Sequence, residues 1–336
     1  MEGSYMASTP SFVIWLVTSR CNIHCSYCYT SDLRGEFDHE EAIKTAEGLV
    51  ELASRSVGIT GGEPLLWPPL RDVLKILRDG GLEVSIQSNM KLFDIGYAKL
   101  FSDLGIFLFT SLDGADKLVH EAYRGIGSWD AVVRGLKIAY DMGLEFATVT
   151  TISDVNVDKL PSILEFSCNL GSRYAAFIPI IPVGRASRVY SLLPDPGRLF
   201  SALTSLRDKA YSLGFHTSIW CTPFAMRIGS GRYFRIGACT IASSMDILPD
   251  GSIPICDTLR IGVSDVSIGV VKAWSEYISH PLVKKISKRI PDRCRDCSIS
   301  SRCRGGCIAR AYATTGLLDE VDPLCPRIAI DNLRYV

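Results

Sequence analysis

The sequence predicts an α/β fold: a parallel sheet curled into a partial (β/α)6 barrel of the TIM type, followed by a small cysteine-rich domain. Three observations carry this. Between residues 11 and 180, six β-branched or aromatic runs alternate with stretches of helical periodicity, and such alternation builds parallel sheets. Right-handed crossovers curl such a sheet and put its working loops at the C-terminal ends of the strands. Beyond Gly237 the alternation stops, and seven cysteines fall between Cys239 and Cys325.

The elements follow in order. A strand is expected at residues 11–17, with the loop carrying Cys21, Cys25 and Cys28 at its end. A helix over 39–52 places Ala42, Ala46, Leu49 and Val50 at helical spacing. A strand at 56–60 runs into Gly61-Gly62-Glu63-Pro64, and a helix begins near Pro69. The unit then repeats: strand 82–87, helix 97–104, strand 106–110, helix 130–142, strand 145–152, helix 159–166, strand 174–180. Proline, glycine and serine punctuate 182–196. This sets the expected division: barrel 1–190, connecting region 191–237, C-terminal domain 238–336.

With 336 residues and 36 basic against 36 acidic side chains, the chain has no charge bias toward nucleic acid or an anionic membrane. No apolar run reaches the ~18 residues of a membrane span, and residues 11–17 lack the length and basic lead of a signal peptide. A cytoplasmic location and a small-molecule or peptide partner are the expectation. Gln87 is the only glutamine, and that shortage of labile amides points toward a thermophile. Twelve cysteines run against the same trend, so something must require them. Disulfides, or a zinc site at Cys294-x2-Cys297 with Cys303-x3-Cys307, are the plain alternatives. Cys21-x3-Cys25-x2-Cys28 fits neither. Three thiolates on one loop suit a four-iron cubane with one iron left open.

Cys21-x3-Cys25-Ser26-Tyr27-Cys28 and Gly61-Gly62-Glu63-Pro64, at the ends of adjacent strands, together resemble the radical S-adenosylmethionine (SAM) superfamily. The resemblance implies a 4Fe-4S cluster on Cys21, Cys25 and Cys28 and a SAM amino-group site at Gly61, Gly62, Glu63 and Pro64. Glycines there let backbone approach a ligand, and a carboxylate pairs with an ammonium. Ser88-Asn89 is similar to the family's Thr-Asn-Gly turn, although Met90 replaces the glycine and puts the turn geometry in question. Ser111 matches a serine that contacts SAM, and Arg124 an arginine near its carboxylate. The local alternatives are Asn89 as a turn former, Asp113-Gly114 as a turn, and Arg124 as a surface ion pair.

Cys239-x11-Gly251-x4-Cys256, then Cys294-x2-Cys297-x5-Cys303-x3-Cys307 and Cys325, resemble the SPASM domain, which holds auxiliary 4Fe-4S clusters. The resemblance assigns Cys294, Cys297, Cys303 and Cys325 to a second auxiliary cluster, and Cys239, Cys256 and Cys307 to a first. Some relatives supply a fourth cysteine between the first two, and none lies between Cys239 and Cys256. Cys221, Asp246, Asp250 or a substrate atom are candidates for that place. Cys221 also reads as a small buried apolar residue, and Cys168 as core. Asp257, following Cys256, matches an aspartate that takes a substrate proton; a turn aspartate is the alternative.

The resemblance implies that an electron from a ferredoxin- or flavodoxin-type donor cleaves SAM to methionine and a 5′-deoxyadenosyl radical. That radical abstracts a substrate hydrogen, and the auxiliary clusters accept an electron, so that a peptide or protein side chain is oxidised or crosslinked. Tetrapyrrole side-chain modification is the alternative, because residues 304–316 and 322–326 look like both the haem-pathway and quinone-cofactor peptide branches. Only about ten residues precede the first strand, so a peptide substrate is expected to need a separate leader-recognition protein. A non-catalytic iron-sulfur electron carrier is the reading from another class; the open-iron triad and the Gly-Gly-Glu-Pro loop count against it. A methyl- or methylthio-transferase predicts no SPASM pattern.

Overall fold

Each expected strand leads into a helix, and the computed structural model, described over residues 9–328, keeps that order. The strands are β1 (Phe12–Thr18), β2 (Ser56–Gly61), β3 (Glu83–Ser88), β4 (Phe107–Ser111), β5 (Phe146–Ile152) and β6 (Ala175–Pro179). Helices α1 (His39–Glu51), α2 (Leu70–Asp79), α3 (Ile95–Leu104), α4 (Lys117–Arg124), α5 (Ser128–Asp141) and α6 (Leu160–Asn169) connect them. The six expected strands are present, each within about two residues of its expected limits. Helix α4 is additional to the expected elements, although Asp116 caps it by accepting from the Val119 amide and Val119, His120 and Tyr123 are buried at helical spacing.

Three further strands extend the sheet. After α7 (Pro196–Leu213) come β7 (Thr217–Ile219), β8 (Phe234–Ile236) and β9 (Ser244–Ile247). Among the described residues they complete a nine-stranded sheet, ordered β8-β7-β6-β5-β4-β3-β2-β1-β9, in which every pair is parallel. Strands of three or four residues are too short to alternate visibly in sequence. Helix α7 had readable signals: Asp195 accepts from the Arg198 amide, Pro196 opens the first turn, and Gly214 closes it in the left-handed region. Strand β9, from beyond residue 238, lies against β1, pairing Phe12 with Ser244 and Trp15 with Ile247.

The helices pack on one face of the sheet. Val84, Ile86, Leu108 and Thr110 are buried on that side, and α1 turns Ala42, Thr45, Ala46 and Leu49 inward from a start fixed by the Asp38/Glu41 capping box. The alternate residues of β3 and β4, Ser85, Gln87, Phe107, Phe109 and Ser111, are half-buried on the opposite face. An aromatic wall stands there: Phe107 stacks on Tyr174, and Phe109 meets Tyr174 and Trp220 edge-on. The cysteine-rich segment continues through the hairpin β10 (Ser252–Pro254) and β11 (Gly262–Asp265), then α8 (Val270–Ser279), α9 (Pro281–Ser287), α10 (Ser300–Cys303) and α11 (Ile308–Thr315).

Candidate active site and cysteine centres

Strand β1 ends at Thr18, and the loop bearing Cys21, Cys25 and Cys28 is held from several sides. The Tyr123 carbonyl accepts from the Ser26 amide at 2.9 Å, and the Cys28 carbonyl accepts from the Arg185 amide at 3.0 Å. Arg185 Nε donates to the Cys25 carbonyl at 2.8 Å. The three sulfurs lie close enough to act on one another electrostatically. Burial pushes the Cys25 thiol up to about 11 and raises Cys21. No disulfide forms among the described residues. Free thiols gathered on one loop suit a metal centre that takes their protons.

The second loop packs directly on the first. Gly62 N donates to the Thr18 carbonyl at 2.7 Å and Glu63 N to the Arg20 carbonyl at 2.8 Å. A side chain at Gly61 or Gly62 would run into those two carbonyl regions, and Gly61 also has φ +136°. Glu63 is fully buried. Its Oε1 accepts from Ser88 Oγ at 2.8 Å and from Leu65 N at 3.2 Å, and its Oε2 from Asn89 N at 2.8 Å. Burial nevertheless lifts this carboxyl from 4.5 to about 7. Oε2 accepts one hydrogen bond and retains the lone-pair capacity for a second. Pro64 is buried and opens a 3-10 turn.

Asn89 lies between the two loops. Its Nδ2 donates to Asn22 Oδ1 at 2.8 Å and lies 3.7 Å from Cys21 Sγ. Met90 holds the left-handed conformation, φ +65°, that a glycine adopts more readily. The turn geometry is thus kept without the glycine: Ser88 Oγ accepts from Met90 N at 3.0 Å, and the buried Met90 side chain packs over Gly135.

Asp113, for which a turn is the local alternative in the sequence, is a buried hub. It accepts from the Tyr27 hydroxyl, from Arg124 Nε at 2.5 Å and from Thr151 N at 2.8 Å. Arg124 is therefore no surface ion pair; it is buried, with its guanidinium 5.5 Å from the centre of the Tyr27 ring. Asn156 braces the same hub by donating to the carbonyls of Asp113 and Thr151. Ser111 is half-buried on the open face of the sheet, where its Oγ accepts from Gln87 Nε2 at 3.1 Å. A Ser-Leu-Asp-Gly run after a strand was the available signal; the depth of Asp113 was not readable from it.

The remaining cysteines gather in two places. Cys294, Cys297, Cys303 and Cys325 line one cavity together with Arg227, Arg293 and Arg327. Burial pushes Cys303 up to about 12. Cys239, Cys256 and Cys307 form the other group, and Cys221 joins it: its thiol hydrogen-bonds that of Cys307 and feels Cys256 and Cys239. That hydrogen bond is the main influence drawing Cys307 down to about 7. The apolar-filler reading of Cys221 does not describe this position. Cys168 sits on α6, away from both groups in sequence and half-buried.

Asp257 is half-buried and hydrogen-bonds Tyr29, and burial raises its pKa. Asp246 Oδ2 accepts from Asp257 N at 2.8 Å, whereas Asp246 Oδ1 has no partner among the described residues. Asp250 is exposed and occupied as a turn former, accepting from Ser252 Oγ at 2.6 Å. Arg260 ties this region to the first loop, contacting the Tyr29 carbonyl and Asp32.

Residues 15–167 match the model of the radical SAM superfamily. The AdoMet-dependent heme synthase of Nitratidesulfovibrio vulgaris is 23% identical over 340 residues, covering 94% of this chain and 92% of that one. The mycofactocin maturase MftC of Mycolicibacterium smegmatis is 27% identical over 342 residues, covering 94% and 82%. Among solved structures, native anSMEcpe with bound AdoMet superposes with a TM-score of 0.76 at 21% identity, over 95% of this chain and 94% of that one, a likeness of fold. No helix among the described residues is long and apolar enough to cross a membrane. The family implies a 4Fe-4S cluster and SAM, and the donor set of three converging free thiols beside a buried carboxylate fits both. With the cysteine loop at the end of β1, residues 15–167 of this chain form a radical SAM superfamily domain, and the chain is a radical SAM enzyme.

Proposed function

We propose that the chain is a radical SAM oxidoreductase of the SPASM type, which removes a hydrogen atom from a substrate carbon and completes an oxidation or crosslink of a peptide or protein side chain. The observation that carries this is the gathering of eleven of the twelve cysteines into a triad beside Glu63, a four-cysteine cavity and a third group around Cys307. An electron carrier has no use for a buried carboxylate beside an incomplete cysteine triad. Bound there, the clusters supply the electron chemistry that cleaves SAM to a 5′-deoxyadenosyl radical and takes up the electron the substrate sheds.

The protein's own residues bind and position. Cys21, Cys25 and Cys28 hold the SAM-binding cluster, and Cys294, Cys297, Cys303 and Cys325 hold an auxiliary one. Cys239, Cys256 and Cys307 supply three ligands to another. Glu63 accepts from the SAM amino group, with Gly61, Gly62 and Pro64 shaping its cradle and Ser88 and Asn89 holding the carboxylate in place. Ser111 lies on the open face of the barrel, in reach of a bound nucleoside. Tyr27 and Arg124 meet at Asp113, and so fix the cysteine loop to the barrel. Asp257 takes the substrate proton at its carboxylate, and the partner donating electrons is of ferredoxin or flavodoxin type.

For a peptide, support comes from the match to the mycofactocin maturase and from the mixed lining of the open sheet face, where Gln87 and Ser111 stand beside Phe109. A second reading, oxidation of a tetrapyrrole side chain, is favoured by the near-full-length match to AdoMet-dependent heme synthase and by the wall of Phe107, Phe109, Tyr174 and Trp220, which suits a flat conjugated ring.

The test is anaerobic reconstitution, followed by iron and sulfide analysis and detection of 5′-deoxyadenosine with SAM and dithionite. About twelve irons per chain and deoxyadenosine formation are expected. Cluster loading without deoxyadenosine would sink the enzyme reading. Faster deoxyadenosine formation with an iron porphyrin carrying propionates, and not with peptides, would replace the peptide reading by the tetrapyrrole one.

A further inference from the structure

Cys221 occupies an unusual piece of backbone. It follows β7 with φ +49°, in the left-handed region that non-glycine residues rarely enter. Such strain persists where the surroundings impose it, and here they do. The fully buried Arg310 guanidinium reaches the Cys221 carbonyl at 3.5 Å, the Ile180 carbonyl at 3.1 Å and the Pro179 carbonyl at 3.1 Å, and forms a 2.5 Å ion pair with Asp322. The same Asp322 oxygen accepts from the Cys307 amide at 2.9 Å. One buried ion pair thus fixes the backbone of Cys221, from the barrel, against the backbone of Cys307, from the C-terminal segment.

The thiols follow. Cys221 and Cys307 are in hydrogen-bond contact, and Cys239 and Cys256 complete the surroundings. Asp246, Cys256 and Asp257 could crowd a single ion, but a cubane needs its sulfur ligands spread around four irons rather than one.

We propose that Cys221 is the fourth protein ligand of the auxiliary cluster whose other ligands are Cys239, Cys256 and Cys307, and that this cluster has no iron open to substrate. The inference rests on the reading that these three cysteines hold a 4Fe-4S cluster. On binding, the Cys221 thiol loses its proton to solvent and its sulfur bonds the fourth iron; no electron is transferred in that step. The ligand arrives from the β7–β8 connection, upstream of the cysteine-rich segment, so closing the cluster also joins the barrel edge to that segment. Substrate oxidation at this cluster then proceeds by electron transfer alone, without coordination of the substrate to iron.

The test uses the full-length chain with Cys21, Cys25 and Cys28 all changed to alanine, which removes the SAM-binding cluster and leaves the auxiliary ones. Anaerobically reconstituted, it should carry about eight irons. Cyanide, a small ligand for an open iron, is added to the reduced protein and the electron paramagnetic resonance spectrum recorded. With Cys221 present the spectrum should be unchanged by cyanide; in the Cys221→Ala background it should shift. The same response in both backgrounds, shifted or unshifted, overturns the assignment. Cys221→Ser provides a second variant if alanine impairs folding, and it should alter the cluster spectrum before any cyanide is added; an unaltered spectrum also overturns the assignment. Iron near four rather than eight, with Cys221 intact, would instead remove the reading of two auxiliary clusters, and this inference with it.

Discussion

The Asp113 carboxylate and the Arg124 guanidinium form a buried 2.5 Å ion pair, and the Tyr27 hydroxyl closes on the same carboxylate. This arrangement links the loop after β4 and the end of α4 to the loop that carries the cysteine triad. The functional loops of the barrel are thereby fastened to one another through a single buried charge pair.

Breaking that pair leaves one buried charge uncompensated. Asp113→Ala is expected to cost ~3–5 kcal/mol, measured as a lowered denaturant midpoint of the anaerobically loaded protein. Adding Arg124→Ala should recover part of the loss, since the double variant strands no charge. Equal destabilisation by the double variant and the sum of the single ones would argue that the two residues act independently.

Glu63 is lifted from 4.5 to about 7 by burial, so the ligand-free folded chain holds a proton that the unfolded chain has already released. Its contribution to stability is accordingly present below pH 4.5 and lost as the pH rises through about 7. SAM binding has the opposite dependence, because only the carboxylate accepts from the amino group. Affinity measured by calorimetry should strengthen from pH 6 to pH 8. Glu63→Gln should weaken it ~10- to 100-fold, as expected for a hydrogen bond to a charged group, and flatten the profile.

His120 is buried beside Asp113, with its Nδ1 accepting from the Asp113 amide at 3.3 Å and its Nε2 unpartnered among the described residues. Burial, aided by Arg124, lowers its pKa from 6.5 to about 4. The unfolded chain takes up the proton first, so this contribution to stability is present above pH 6.5 and lost as the pH falls toward about 4. Unfolding midpoints at pH 7, 6 and 5 should fall by up to ~1.4 kcal/mol per pH unit from this group. His120→Gln should reduce the slope.

Met90 fills a left-handed turn position and a buried site at once. Met90→Gly relieves backbone strain but empties the space over Gly135, and the cavity should dominate. A net loss of ~1–3 kcal/mol is expected, read by thermal denaturation. A gain in stability would mean that backbone conformation outweighs packing here.

Cys297→Ala combined with Cys303→Ala should remove about four irons per chain while leaving the SAM-binding loop loaded. Iron analysis together with SAM affinity checks this. Loss of both would show that the four-cysteine cavity also supports the fold of the barrel.

The triad motif, the Gly-Gly-Glu-Pro loop and the alternation of six strands with helices were legible because each is local. A cysteine spacing, a glycine pair and a two-residue strand period are properties of short stretches. The short strands β7, β8 and β9 were not legible, because three or four residues do not establish a period and their pairing comes from distant neighbours. Helix α7 was legible at its ends alone, where Asp195 and Pro196 open it and Gly214 closes it.

By itself, the sequence determined the order of elements, the loops on which the chemistry sits and the cysteines available to hold iron. Tertiary structure decided which distant groups meet: Asp113 with Arg124 and Tyr27, Asp257 with Asp246 and Tyr29, and Cys221 with Cys307 across 86 positions of chain. Spacing reports only what lies within a turn or a loop. Burial and the closing of a sheet edge against a later segment depend on the whole fold, and they set the charge state of Glu63 and the place of Cys221.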